Sequence, residues 1–390
     1  MVIVKRTAYA GLLLIVVLFA SPTAAAAQAR DLDLAKARQA FQAGHVEAAW
    51  SAVNALPESP ETLAFKVEVA SSAGWIAEAL TAYDGWELHT RRHNPDLLAI
   101  VATAVARNLA GDSDPAIRVE ACRAVLQTRK ADAACGSEMR TLAEARNQPD
   151  TVRLGAVAAL AAGGAADKAL MMKVVREAHD SLAIAAGAAA WPPAVATPVL
   201  IGVLSSGDDH AQYAAALALG EIGTPEAASA LRAFLARKPK GVGQLGAILG
   251  LARCGDRDAL AQAKSLLPLL GAGDQLHAIE ALAAHGDPGS TARLSEIAGG
   301  SDELQRLNAA KVLLARDPTS SLATHVIESG LASGNPWVRA QAIGLAGQLG
   351  ETWRLRVRTS LLDSNPLIAA RACQAILAGV RPPAGPSRVR

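Results

Sequence analysis

The chain has 390 residues; 51% are apolar but only 3% aromatic, so any interior must be built mostly from Ala, Leu and Val. Its formal charge is +2, and setting aside residues 1–29, with their Lys5 and Arg6, leaves 36 basic against 36 acidic side chains. That balance excludes the basic stripe that a nucleic-acid binder needs to neutralise phosphates, and equally a polybasic membrane surface.

Residues 1–29 have the form of an export signal. Lys5 and Arg6 precede a 13-residue apolar run, Ala8 to Ala20, too short to span a bilayer comfortably. Ala27-Gln28-Ala29 is a small-x-small site, which predicts a cut between Ala29 and Arg30 and a periplasmic or secreted mature protein with no stable membrane insertion. No Cys stands near that site to carry a lipid anchor.

Residues 30–110 are helical pairs. Leu34 to Ala43 is stopped by Gly44 and followed by Val46 to Leu56; Pro60 to Ser72 is split by Gly74 from Trp75 to His89. The 30-residue step from Gly44 to Gly74, with Ala48 and Ala79 soon after each, resembles degenerate tetratricopeptide repeats.

Over residues 111–380 one pattern recurs: a turn closed by Pro, a Val-Arg pair or a relative of it, then an Ala-rich helix ending at Gly or Asp. Copies aligned on the Arg position fall at Arg118, Arg153, Ala183, Gln212, Gln244, Gln275, Arg306, Arg339 and Ala369, in steps of 29 to 35 residues. Each copy should hold a first helix, for example Ser137–Arg146, Asp167–Ala178, Thr224–Lys238, Asp256–Leu267, Pro318–Leu331 and Thr352–Leu362, before the Arg-position helix. A period of this size implies units that bury their apolar faces only against neighbours. The expected fold is all-α: a right-handed α-solenoid, a superhelical stack of helical hairpins growing as a curved rod. Residues 381–390 have no apolar period and are expected to form a disordered basic tail.

The run Ala215-Ala216-Leu217-Ala218-Leu219-Gly220-Glu221-Ile222-Gly223-Thr224-Pro225-Glu226 resembles the second helix and exit turn of HEAT repeats, particularly the bacterial HEAT-like class of phycobilisome lyases. The resemblance implies an armadillo-like array whose functions range from adaptors to lyases and hydroxylases. HEAT-type hydroxylases hold iron through His-Glu dipeptides; none of the eight histidines here precedes Glu, so that site does not carry over.

Motifs for chemistry are sparse. Gly241-x-Gly243-x-x-Gly246 matches the dinucleotide fingerprint in spacing, but it falls on a repeat entry after Lys238-Pro239-Lys240 rather than after a strand. It is expected to be a structural turn, with an anion at that helix start as the residual idea. His89 and His93 have metal-pair spacing, but Asn94-Pro95 ends any helix there. No catalytic residue, metal site or cofactor is assigned. Cys122 and Cys135 are close enough in sequence for a disulfide across one repeat; Cys254 and Cys373 are expected to be buried free thiols.

Second helices line the inner wall of such arrays, and positions two and five after the Arg position share one helical face. Along that ridge the middle copies are small and apolar (Gly155, Ala158, Ala185, Ala188, Ala214, Leu217, Gly246, Leu249), and the last third is polar: His277, Glu280, Asn308, Lys311, Gln341, Arg371 and Gln374. The middle is either buried by tight curvature or an apolar groove with a polar end. Trp337, at a helix start usually exposed, is a candidate anchor. Arg118, Arg153, Arg306 and Arg339 are expected to tie each turn to its neighbour. The expected function is an exported, non-catalytic scaffold binding a protein or peptide on its concave face; the alternative is a bilin-lyase-like enzyme or small-ligand binder using the trough.

Overall fold

The computed structural model describes residues 22–128, 132–164 and 167–379, with side chains from Arg30 onward. Two hairpins come first: α1 (Pro22–Gln42) with α2 (Val46–Asn54), and α3 (Pro60–Ala73) with α4 (Ile76–Thr90). Gly44 and Gly74 end their helices with φ of +83° and +77°, a left-handed turn that only Gly adopts freely. Most of the expected signal, and the expected tail, lie outside the described residues. α1 already begins at Pro22, so a cut before Arg30 would shorten it while leaving its core residues Leu34 and Ala37 in place.

Nine hairpins follow among the described residues. They are α5 (Pro95–Leu109) with α6 (Pro115–Thr128), α7 (Ala133–Glu144) with α8 (Asp150–Ala162), and α9 (Lys168–Glu177) with α10 (Ser181–Ala188). Next come α11 (Pro193–Ser206) with α12 (Asp209–Ile222), α13 (Pro225–Ala236) with α14 (Val242–Arg253), and α15 (Arg257–Leu266) with α16 (Ala272–Ala284). The last are α17 (Pro288–Ala298) with α18 (Glu303–Arg316), α19 (Ser321–Leu331) with α20 (Pro336–Gln348), and α21 (Glu351–Arg356) with α22 (Pro366–Leu377). A 3-10 stretch, Arg358–Leu362, completes the last outer arm. The described residues contain no strand, and none of their helices is long and apolar enough to cross a membrane.

The entries form where a short polar side chain can satisfy the first free amides. Asp180, Asp208, Asp302, Asn335 and Asn365 each accept an N–H at the start of α10, α12, α18, α20 and α22, and at α20 and α22 Pro follows the cap, where its missing N–H costs nothing. Each such cap is worth about 1 kcal/mol. Between caps, Ala and Leu keep the helix cheap and thin.

Thin helices permit close stacking, and the α12–α14 pair shows the limit. A Cβ on Gly220 would lie 2.7 Å from the Gly250 carbonyl oxygen, and one on Gly250 would run into the Ala216 carbonyl. Tyr213 crosses the start of α14, where a Cβ on Gly246 would be 2.8 Å from its Cα, and its hydroxyl donates to Asp274 on α16 at 2.5 Å.

The array is a solenoid, but it does not grow as a rod. Helix α22 packs on α20 on one side and on both α5 and α6 on the other, so the ninth hairpin sits beside the first as its next neighbour would. The second helices α6, α8, α10, α12, α14, α16, α18, α20 and α22 thus form a closed inner ring. Nearest-neighbour reasoning predicts each contact yet not the accumulated rotation; nine equal units need about 40° each to close a circle, a small per-repeat rotation of the kind that curves any solenoid. Closure also replaces the polar capping repeat that an open array needs, since Ala369, Ala372, Cys373 and Ile376 of α22 are all buried.

The seam is polar at its inner edge. Glu120 on α6 receives Gln374 Nε2 at 2.6 Å and lies 3.3 Å from Arg371 Nη1, both on α22. Farther out, Arg358 reaches Asp84 at 3.1 Å and Glu87 at 3.4 Å on α4, so the N-terminal hairpins buttress the junction. Those hairpins keep a small core of their own around Ala49, Val53, Phe65 and Val69.

Candidate binding surface on the inner wall

One face of each inner helix looks into the ring, at positions −2, +2, +5 and +9 from the Arg position, which is i, i+4, i+7, i+11 spacing.

The middle of the ridge is not a groove. Ala158, Ala185, Ala188, Gly246 and Leu249 are buried, and Ala214 and Leu217 are half-buried. Their small size serves helix approach, as the Gly220–Gly250 contact shows, and Tyr213 covers the start of α14. Two of the polar ridge residues are also spoken for: Arg371 and Gln374 hold Glu120 across the seam.

What remains is a sector on α16, α18 and α20, the inner helices that touch one another least. Toward the helix C-termini, between α18 and the ends of α12, α14 and α16, lies a cavity of about 840 Å³ lined by Glu221, Arg253, Glu280, Lys311 and Arg316, three cations and two carboxylates. Arg253 holds Glu280 with two bonds, at 2.8 and 3.2 Å, and approaches Glu221 at 3.4 Å. Burial works to raise the Glu280 pKa, but the adjacent His277 imidazole and the charges of Arg253 and Lys311 outweigh it and hold the carboxyl below the usual range. His277 Nδ1 stands 3.9 Å from Glu280 Oε2. Arg316 gives an Nη1–H to the Ala283 carbonyl at the end of α16. Lys311 is exposed, and among the described residues its ammonium has neither ion pair nor hydrogen bond.

At the opposite end of the same sector is an apolar crevice of about 250 Å³ between Leu304, Trp337 and Val338, with Asn335 and Gln341 at its edge. Trp337 is 61% exposed and Leu304 44%. The Trp337 backbone is nevertheless fixed: its N–H goes to the Asn335 side chain at 3.0 Å, and Arg339 two residues on is tied to Ser333 and Asp363. Leu182 and Val242, also exposed, occupy the entries of α10 and α14, so among the described residues half of the exposed large apolar side chains lie on inner-helix entries. Asn308 and Gln341 lie exposed between crevice and cavity.

The sequence pattern singled out His277, Glu280, Asn308, Lys311, Gln341 and Trp337, and the structure brings these six to one sector. It missed Glu221, Arg253, Arg316 and Leu304. Three of them were findable: Leu304 stands at −2, and Glu221 and Arg253 at +9, on the face already being read.

The repeat arginines lie away from this surface. Arg153, 2% exposed, donates to the Ala143 carbonyl on its own hairpin at 3.1 Å and to Glu177 on the next at 2.6 Å. Arg306 takes the Ala298 carbonyl, Arg339 takes Ser333 and Asp363, and Arg118 faces Glu138 at 3.1 Å. Arg118, Arg153 and Arg339 thus each reach a carboxylate on the following outer arm. Cys122 and Cys135 are joined as a disulfide from α6 to the first turn of α7, with Cα atoms 5.1 Å apart. Cys373 is a buried free thiol, but Cys254, expected to be buried, is half-exposed beside Arg253, its thiol pushed up in pKa by burial.

At the glycine motif the anion place is filled internally. Asp209 on α12 accepts the N–H groups of Val242 and Gly243 at 3.0 and 2.9 Å, so its carboxylate stands where an outside anion would sit. His89 Nδ1 bonds the Gly85 carbonyl and His93 pairs with Glu87. Among the described residues no group of His, Cys, Asp or Glu is placed to hold a metal.

Residues 178–252, which span α10 to α14, match the HEAT repeats family. No curated protein matches the chain.

Proposed function

We propose that this protein is an exported, non-catalytic scaffold that binds a protein or peptide partner on the inner wall of its ring, in the α16–α18–α20 sector. HEAT repeats commonly serve protein binding, and the observation that carries the reading is the exposed Trp337–Leu304 crevice at one end of α18, with a charged cavity at the other end and the exposed Asn308 and Gln341 between them. A pre-formed wall of helices binds with little ordering cost. Export is supported by the Lys5-Arg6 and Ala8–Ala20 signal pattern, and by the Cys122–Cys135 disulfide, which suits an oxidising compartment. The phycobilisome-lyase-like character of the repeats rests on Ala215 to Glu226, and the tetratricopeptide-like character of α1–α4 on the Gly44 and Gly74 turns. A lyase-type reaction in the trough would call for a ready nucleophile. Among the described residues no cysteine lines the cavity, and burial pushes the pKa of the free Cys254 thiol up, away from a ready thiolate, which favours the scaffold over that alternative.

Site-specific photo-crosslinking in the native cell tests the reading. A crosslinker at Gln341 should capture one defined partner, and the same crosslinker at Gln262 on outer helix α15 should not. Equal capture from both faces, or none from Gln341, would contradict it.

A further inference from the structure

Resting on that reading, we infer that the partner presents its C-terminus to the ring: the terminal carboxylate sits at Lys311, and an apolar side chain three residues earlier fills the Leu304–Trp337 crevice. Three observations carry this. The cavity holds an excess of one cation, and Lys311, whose charge acts on Glu280, makes no ion pair or hydrogen bond among the described residues, while Arg253 is committed to Glu280 and Glu221 and Arg316 to the Ala283 carbonyl.

The spacing follows from the helix. Leu304 and Lys311 are both on α18, seven residues apart, which is about 10 Å along its axis. An extended peptide rises about 3.3 Å per residue, so its carboxylate reaches Lys311 when the apolar side chain stands three positions before the last residue. Asn308 and Gln341, exposed between the two points, can meet the intervening peptide groups.

Closure selects a chain end over an internal segment. The inner wall is bounded on every side by helices, with α22 sealed against α5 and α6, so an internal segment could reach it only as a doubled loop or by threading. A free end enters singly past the exposed rim at Trp337. Its carboxylate then meets the exposed Lys311 at the cavity edge, where an ion pair is worth up to about 1 kcal/mol, or about fivefold in affinity.

The test uses the full mature chain and a fluorescein-labelled, otherwise neutral and polar peptide with Leu three residues before a free C-terminal carboxylate, read by anisotropy. The comparison peptides are its C-terminal amide, an amide with one internal Glu in place of the last residue, and the acid with Leu replaced by Ser. The acid should bind about fivefold more tightly than either amide, and the Ser peptide should be the weakest. Lys311→Glu should abolish the acid–amide difference, as should the milder Lys311→Gln, which sets no new carboxylate near Glu280, and Trp337→Ala should weaken acid and amide alike; Trp337 is exposed, so the Trp337→Ala melt should be unchanged. Equal affinity of acid and amide, a difference surviving Lys311→Glu, or an internal-Glu amide that matches the acid would overturn the inference. A random peptide display selection separates the levels: selected peptides without the carboxylate pattern defeat this inference alone, whereas no peptides at all defeat the binding reading beneath it.

Discussion

Reversing one charge at the seam should open the ring locally. Glu120, 18% exposed at its side chain, accepts from Gln374 at 2.6 Å and faces Arg371 at 3.3 Å and Arg123 at 3.7 Å. Glu120→Lys removes a hydrogen bond and an ion pair made by a charged group, worth roughly 1.5–3 kcal/mol each before solvent screening, and sets a cation against two others. A net cost of about 3 kcal/mol is expected, on the order of a hundredfold in the local opening equilibrium. Because an array opens unit by unit, amide hydrogen exchange is a better assay than a single melting temperature. Peptides from α22 and α6 should lose protection by about that factor while those from α12 and α14 do not. Adding Arg371→Glu should restore most of the loss. Unchanged protection in α22, or equal loss around the whole ring, would refute the account of the seam.

Other consequences follow from separate contacts. Gly250→Ala pushes a methyl into the Ala216 carbonyl and should cost more than about 2 kcal/mol by denaturant unfolding, whereas Gly202→Ala, with open space around it, should cost nothing measurable. Replacing Cys122 and Cys135 by Ala should cost about 2–3 kcal/mol, the amount expected for a loop of this length, measured by unfolding in the absence of reductant. Thiol titration of the wild type should find at most one reactive group when native and two when denatured. Glu280 has a folded pKa below its unfolded value, so its contribution to stability is fully present above the ordinary carboxylate range and is lost as pH falls through the lower folded value. Glu280→Gln should therefore be less stable than wild type at neutral pH and converge with it in acid, as followed by urea midpoints across the titration.

The helical hairpins were legible because their signals are local. Pro at helix starts, Asp and Asn caps, and Gly44 and Gly74 at helix ends act within one turn, and the repeat spacing of the Arg position placed all nine inner helices. The seam was not legible, because Glu120 and Gln374 meet across 254 residues through the sum of many small rotations, and no single repeat encodes that sum. For the same reason Arg371 and Gln374 look like free ridge positions in the sequence. The packed middle wall left a clearer trace: Gly220 and Gly250, one repeat apart, are the residues that let two backbones touch. The binding sector lies between these cases. Its residues share one computable face, but the open space between α16, α18 and α20 depends on how far each hairpin tilts from the next.

The most direct measurement is the distance between spin labels placed on Ala116 and Ser364, exposed positions at the entries of α6 and α22, in a Cys254→Ser background. A closed ring makes these entries neighbours, giving a sharp distribution near 20 Å once the label arms are added to the ~10 Å helix spacing. A broad distribution beyond about 50 Å, as nine hairpins in an open arc would give, would contradict the closed ring and the end-on entry built on it.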